Sequence, residues 1–401
     1  MATFAVSSEA DVVEAVRGAR ESKRTLEIVG HGTKRGFGRP VECEDVLDLS
    51  GLNGIVKYEP DEMIVTARAG TPVAEIEAAL AEHNQRLGFE PADWGPLFGA
   101  PPNAATIGGV LSASCDGSAA IRYGRCRDHL LGFRAVNGFG EAYKAGGKVV
   151  KNVTGFDLPK LFCGAMGTLG PLTEVTLRVF PRSELEWLVA VKDLAPEYAL
   201  ALMRAISGSP ISPTALCYIP AINYYTAPRA PRNVPELSRI GAGAVLVRLD
   251  GSGAALAEKR AVLRALAGQF HLVDLAGENS IRRIDAGSMF EDSPLDVWRF
   301  DVPTTSVVPL IAKMQPAEWA ADCGGSRVYV ARTPGYYGQH EHAYAAEFEG
   351  SCILLRASAE TRKRAKIFAP ETPVRAELTK RVKAAFDPLK LFNPGRMWEG
   401  V

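Results

Sequence analysis

The chain has 401 residues, enough for two or three domains with a sizeable core. Hydrophobic residues make up 47% and charged residues 23%, and 46 Lys plus Arg balance 46 Asp plus Glu, which excludes bulk electrostatic attraction to nucleic acid or to a membrane. No apolar run approaches the roughly 20 residues of a membrane span, the N-terminus lacks a signal-peptide pattern, and seven cysteines without a C-x-x-C exclude a disulfide framework or an iron–sulfur site in this chain, so a reduced, cytoplasmic setting is expected.

In chain order, Ser8 with Asp11 forms a capping box. Val12, Val13 and Val16 then stripe a short helix ending near Arg20. Thr25–Val29 reads as a strand running into Gly30-His31-Gly32-Thr33-Lys34-Arg35-Gly36-Phe37-Gly38. This Gly-rich turn with two cations suits a pyrophosphate; a solvated turn is the alternative. A nicotinamide-type Rossmann site needs a helix to open at once after the glycines, and Gly36, Gly38 and Pro40 argue against one. Val46–Leu49 and Met63–Ala69 read as strands. Thr71-Pro72 starts a helix that buries Val73, Ile76 and Leu80. Residues 88–98 form a loop bringing Asp93 and Trp94 beside the stretch that follows.

Residues 99–140 organise the chain. They show little helical periodicity and much Gly, Ala and Ser. Ala105-Thr106-Ile107-Gly108-Gly109 lacks bulk where a backbone could approach an anion closely. Thr106, Ser112 and Ser114 add hydroxyls, and Tyr123-Gly124 with the charged run Arg125 to Asp128 follow. A strand returns at Phe133–Val136, with a turn at Asn137-Gly138. Asp157–Phe162 reads as one helical turn. Gly164, Gly167 and Gly170 make another close-approach loop before a strand at Leu172–Val179. Residues 1–180 thus read as one α+β domain with Gly-rich loops at 30–38, 99–124 and 164–170, a set that suits an elongated, phosphate-containing cofactor.

From residue 181 the pattern is strand 187–191, helix 197–206, strand 215–219, a Pro-rich loop over 221–238, strand 244–249, helix 256–266 and strand 271–275. That order is a ferredoxin-like α+β arrangement. Further strands are expected at 296–302, 328–331 and 352–356, and a final helix at 373–386. No internal repeat is legible. The division expected is 1–180, a cap domain over 181–385, and a tail over 386–401 returning to the first domain.

GHGTKRGFG at 30–38, ATIGG and RYGRCRD within 105–128, TGFDLPKLFCGAMGTLGPLTE at 154–174 and FNPGR at 392–396 together resemble the FAD-binding fold shared by vanillyl-alcohol oxidase and p-cresol methylhydroxylase. Within it, the wording of LFGAPPNAATIGG and NVTGFDLPKLFCGAMGTLG resembles the E-type FAD-binding subunits of bacterial glycolate oxidases. The resemblance covers the first domain closely and the cap by architecture. It implies FAD, with Gly30, His31, Gly32, Thr33 and Lys34, flanked by Arg35 and Gly36, at the pyrophosphate. It implies Thr106, Ile107, Gly108, Gly109, Ser112 and Ser114 along the pyrophosphate and flavin ring, with Asp93, Tyr123, Gly124 and Asp128 nearby. Gly167, Gly170 and Leu172 would contact the flavin or adenine, and Asn393 would return from the tail.

Some relatives attach FAD covalently through a histidine of the first loop. His31 is offset from that position, so non-covalent FAD is expected. The H-G-D-G-N-x-H motif of D-type relatives that oxidise 2-hydroxy acids is not found. His340-Glu341-His342 reads as a surface loop in preference to a metal site. Arg299 is a candidate substrate carboxylate clamp, weighed against a structural salt bridge. The resemblance implies an oxidoreductase subunit acting on glycolate. Its expected partners are a paralogous flavin subunit and an iron–sulfur subunit, in a complex that is cytoplasmic or peripheral to the inner membrane. The alternatives are a non-catalytic FAD-holding subunit and a different alcohol-oxidising flavoenzyme of the same fold.

Overall fold

The structure, a computed structural model, describes residues 1–147, 155–220, 243–275, 288–335 and 339–401. The start of the third family-like stretch, Thr154, and the Pro-rich loop at 221–238 lie outside the described residues. The described chain divides into two compact units. Unit 1 holds Met1–Cys115, Arg125–Pro181 and Pro370–Val401; unit 2 holds Asp116–Gly124 and Arg182–Ala369. One limit between the units falls between Pro181 and Arg182. The sequence reading kept residues 116–124 in the first domain and 370–385 in the cap, and the contacts assign both segments the other way.

Unit 1 opens with β1 (Thr3–Ala5), α1 (Glu9–Ser22), β2 (Leu26–Val29) and β3 (Asp45–Asp48). The capping box is formed: Asp11 N donates to Ser8 Oγ at 3.2 Å and Ser8 N to Asp11 Oδ2 at 2.9 Å. Both N-terminal donors are thereby satisfied. α1 buries Val12, Val16 and Ala19 beside a three-stranded parallel sheet of order β1-β3-β2. Next come β4 (Ile55–Glu59), β5 (Ile64–Arg68), α2 (Val73–Ala81), β6 (Gln85–Arg86) and α3 (Ile107–Ala113). After α4 (Ala120–Tyr123), which belongs to unit 2, unit 1 resumes with α5 (Cys126–His129), β7 (Leu130–Val136), β8 (Ala142–Gly146), α6 (Leu158–Phe162), β9 (Leu172–Arg178) and β10 (Phe180–Pro181). A five-stranded antiparallel sheet runs β4-β5-β9-β7-β8.

The central stretch was expected to be irregular over 99–124, and here the structure corrects the reading. Thr106 is extended, and its Oγ1 accepts from Gly109 N at 3.3 Å, so α3 opens at Ile107. Its two glycines fall in the first turn, where their flexibility costs the helix least. Four of its seven residues, Ile107, Gly108, Val110 and Leu111, are buried. A helix buried on more than one side shows no amphipathic stripe, which is why periodicity missed it.

Unit 2 contains β11 (Leu185–Val191), α7 (Pro196–Ser207), β12 (Ala215–Ile219), β13 (Ala244–Gly251), α8 (Gly253–Ala267) and β14 (Leu272–Leu275). These are followed by β15 (Asp296–Asp301), α9 (Val307–Met314), β16 (Glu318–Asp322), β17 (Arg327–Arg332), α10 (Gln339–Glu347), β18 (Ser351–Arg356) and α11 (Ala359–Arg364). The eight strands among the described residues of this unit form one sheet of order β14-β11-β13-β12-β16-β17-β15-β18. The order reads 4-1-3-2 and then 2-3-1-4. Unit 2 is therefore two ferredoxin-like βαββαβ halves joined through β12 and β16, where Tyr218 pairs with Ala321. This corrects the expectation of no internal repeat: the repeat lies in the topology. The halves share one core, with Trp187, Val245 and Tyr218 of the first and Trp298, Val328 and Leu354 of the second in one buried cluster. Joining the two inner edges removes both from solvent.

The last helix, α12 (Pro373–Phe386), belongs to unit 1. Past it, Leu391 and Phe392 are at most 1% exposed. Leu26 N donates to Leu391 O at 2.7 Å and Asn393 N to Leu26 O at 3.0 Å, so the tail lies alongside β2.

Candidate functional site

Two adjoining cavities in unit 1 form an elongated cleft at the end of β2. One holds about 540 Å³ of open space between the 27–37 turn, the first turns of α3, and Met166, Asn393 and Arg396. The other holds about 420 Å³ and reaches Leu49, Ala69, Gly167, Gly170 and Leu172. They share seven lining residues, among them Gly30, Thr106, Gly109 and Asn393.

The floor is set by close approaches that side chains would block. A Cβ on Gly30 would lie 2.5 Å from Thr106 Oγ1. Bulk at residue 30 would therefore push the turn away from the helix cap. After Gly30 the chain makes two tight turns, with Arg35 N donating to Gly32 O at 3.3 Å and Phe37 N to Lys34 O at 3.0 Å. No helix follows, consistent with the exclusion of a Rossmann turn. Lys34 runs over the first turn of α3, its Nζ 3.5 Å from where a Gly109 Cβ would stand. That ammonium donates to Thr33 Oγ1 at 2.9 Å. Desolvation pushes its pKa below the ordinary lysine range, with Cys115 and Asp93 partly opposing. A desolvated cation beside a helix N-terminus is an arrangement that an anion stabilises. Arg35 differs: it is exposed and pairs with Glu27.

The tail closes the cleft from the other side. Asn393 Oδ1 accepts from Ile28 N at 2.9 Å, and its Nδ2 donates to Met166 O at 2.8 Å. Arg396 Nη2 donates to the carbonyls of Lys34 and Arg35, each at 3.2 Å. Met166 N donates to Ser112 O at 2.8 Å, tying the 164–170 loop to α3. Sequence reasoning assigned no role to Met166 or Arg396. The signal for Arg396 was present, since it ends the FNPGR stretch beside Asn393.

The expected site residues therefore separate. Gly30, His31, Gly32, Thr33, Lys34, Arg35, Thr106, Gly108, Gly109, Ser112, Gly167, Gly170, Leu172 and Asn393 line the cleft. Ile107 is fully buried as the first residue of α3, and Gly36 packs where a Cβ would meet Phe98 at 2.6 Å. Asp93 accepts from Asn103 N at 2.7 Å and so shapes its own loop. Ser114 caps the C-terminus of α3, and Asp128 accepts from Arg125 N at 2.9 Å as the cap of α5. Tyr123 and Gly124 belong to unit 2, where the Tyr123 hydroxyl donates to Asp250 at 3.2 Å. None of these last residues lines either cavity.

In unit 2, Arg299 pairs with Asp301 at 3.3 Å and is only 13% exposed, which favours the salt-bridge reading over the substrate clamp. His340-Glu341-His342 lies on α10, correcting the surface-loop reading. Glu341 is buried against Arg332 at 3.0 Å, while His342 Nε2 lies 2.6 Å from Lys366 O and its Nδ1 3.2 Å from Cys352 Sγ. Residues two apart on a helix do not share a face, so the two histidines cannot close on one metal.

Gly108 also needs a new reason. A Cβ there would meet the Ala69 Cβ and carbonyl oxygen at 2.8 Å each, so the missing side chain lets α3 pack on the end of β5. Gly108→Val is expected to destabilise unit 1 by about 1–3 kcal/mol, as well as narrowing the cleft. Urea unfolding of the flavin-free protein measures this; an unchanged midpoint would return the space to a ligand.

Residues 1–146 match a family described as "FAD binding domain". Glycolate oxidase subunit GlcE of Escherichia coli is 29% identical over 387 residues, covering 96% of each chain. Glycolate oxidase subunit GlcD of Bacillus subtilis is 31% identical over 194 residues, 46% of this chain and 40% of that one. Among solved structures, p-cresol methylhydroxylase with substrate bound superimposes with a TM-score of 0.73 at 14% identity, covering 99% of this chain and 88% of that one. The cleft fits FAD chemically: a desolvated lysine and glycines without obstructing side chains stand along its wall, beside the first turn of α3.

Proposed function

From its FAD-binding domain and its p-cresol methylhydroxylase fold, we propose that the chain is the FAD-holding subunit of a glycolate oxidase complex. The observation that carries this reading is the end-to-end similarity to GlcE, which extends through both units. Bound FAD supplies the acceptor for a hydride leaving the hydroxyl-bearing carbon of a 2-hydroxy acid such as glycolate, giving glyoxylate. Lys34, with the backbone of residues 30–33 and 109, would hold the pyrophosphate. Met166, Gly167, Gly170 and Leu172 would bound the inner part of the cleft. Asn393 and Arg396 would keep the turn and the 164–170 loop at fixed separation. His31 is exposed, with Nδ1 2.9 Å from Ala104 O, and FAD is held without a covalent bond. The partners are a paralogous flavin subunit, in line with the GlcE and GlcD names, and an iron–sulfur subunit that takes the electrons onward. No described helix is long and apolar enough to cross a membrane.

A second reading keeps FAD here as a relay while the paralogous subunit removes the hydride. The unit 2 side chains favour it: Arg299 is paired and His342 is engaged through both ring nitrogens. Hydride removal also needs a base for the hydroxyl proton, and neither group is poised to take one. The purified chain is expected to be yellow and to release its flavin on acid precipitation. Flavin left in the pellet would overturn the non-covalent assignment. Anaerobic glycolate or D-lactate is expected to leave its flavin oxidised until the partner subunits are added. Bleaching within seconds by the isolated chain would place the base in this subunit.

A further inference from the structure

We propose that Cys126 and Cys163 are a reversible disulfide site beside the cofactor cleft. Their sulfurs lie 3.2 Å apart, and a disulfide needs them at about 2.05 Å, so closure takes a movement of about one ångström. The two thiols are far apart in sequence but come from rigid elements of one unit. Cys126 opens α5 and is fully buried, its sulfur 3.7 Å from Ser114 Oγ. Cys163 caps α6, which is held by Phe162 packed against Phe133 with ring centroids 4.5 Å apart. Cys163 is partly exposed and Cys126 is not, so an oxidant reaches Cys163 first. Hydrogen peroxide converts the Cys163 thiol to a sulfenic acid and releases one water. The Cys126 thiol then attacks that sulfur, forming the S–S bond and expelling a second water. Two thiols are oxidised and one peroxide is reduced to two waters.

The position gives the bond a consequence. Immediately after Cys163, Gly164 N donates to Leu111 O at 2.9 Å and Met166 N to Ser112 O at 2.8 Å. The loop that the bond would fix is therefore already tied to α3 and supplies Met166 and Gly167 to the cleft. Tethering this loop to α5 further restrains the wall of the cleft that it forms. This part rests on the FAD reading; the bond itself does not.

The test treats purified full-length protein, with and without added FAD, with excess hydrogen peroxide. Non-reducing proteolysis and mass spectrometry follow. A peptide joining Cys126 to Cys163, two mass units below the sum of its thiol parts and reversed by dithiothreitol, is expected in both samples. Cys126→Ser is expected to leave Cys163 to progress to sulfinic acid. Sulfinic or sulfonic acid at Cys163 in the wild type, with no joined peptide, would overturn the site. In the flavin-loaded sample, FAD release is expected to slow several-fold on oxidation and to recover on reduction. Equal release rates with the joined peptide present would overturn the coupling to the cleft. A chain that takes up no FAD but still forms the bond would instead fault the FAD reading.

Discussion

Asp387→Ala is expected to destabilise unit 1 by about 3–5 kcal/mol, the cost of leaving a buried charge without its partner. Lys383, on α12, is 1% exposed, and Asp387 is fully buried. The ammonium donates to Asp387 Oδ2 at 2.8 Å, to Thr168 O at 2.6 Å and to Phe392 O at 3.0 Å. Burial pushes the Lys383 pKa down, and Asp387 is the main opposing influence. The same carboxylate accepts from Leu391 N at 2.9 Å and Phe392 N at 2.8 Å. Its loss would free the turn that presents Leu391, Phe392 and Asn393 to β2. Burying an aromatic or aliphatic side chain of this size contributes roughly 1.5–3 kcal/mol, so an undocked tail loses more than the ion pair. Urea unfolding followed by circular dichroism measures the change. The double variant Lys383→Met, Asp387→Asn is expected to recover part of it, because no buried charge is then left alone. A single variant as stable as the wild type would show that the pair does not secure the tail.

Lys34→Met is expected to weaken FAD binding by roughly one to two orders of magnitude, while leaving the flavin-free protein as stable as the wild type or more so. The two halves of this result have opposite signs for one reason. In the free protein the desolvated ammonium is a liability. Its folded pKa lies below its unfolded one, so its destabilising effect is present at neutral pH and fades only as pH rises toward and past the ordinary lysine range. Methionine fills a similar volume without the charge. When a pyrophosphate enters the cleft, the same ammonium forms charge-assisted hydrogen bonds. One such contact contributes about 1.5–3 kcal/mol, and 1.4 kcal/mol is about tenfold in affinity. Quenching of flavin fluorescence during titration of the free protein gives the affinity, and a thermal melt gives the stability. Arg35→Met is the control. Arg35 is exposed and already paired with Glu27, and a surface pair of that kind is worth about 0–1 kcal/mol, so its effect on FAD should be much smaller. Equal losses from the two variants would mean that the loop attracts FAD by net charge and not through a directed contact.

The sequence by itself determined those elements whose signals are local. The Ser8–Asp11 box and the Val12–Val16 stripe define α1, and proline at the first position with lysines toward the end defines α12 over Pro373–Phe386. The strand and helix order after 181 specified a ferredoxin-like half, because alternation and periodicity are read within ten residues. The glycines and hydroxyls of 30–38 and 105–112 located the cleft wall, since a close backbone approach requires small side chains wherever it occurs.

Tertiary structure decided what depends on residues distant in the chain. Gly108 must be small because Ala69 lies against it, whatever the cleft holds. Tyr123 and Asp128 are near the cleft in sequence but turn to Asp250 and to the cap of α5. Lys34 and Arg35 carry the same charge one residue apart. Only the fold makes the first a desolvated cation facing α3 and the second an exposed partner of Glu27. The repeat in unit 2 was invisible because topology repeats backbone hydrogen bonding, which any residue except proline can supply, while the side chains need only fill one shared core. Arg396 reaches the Lys34 carbonyl from 362 residues away. No window along the chain contains both ends of that contact, so only the folded backbone could set it.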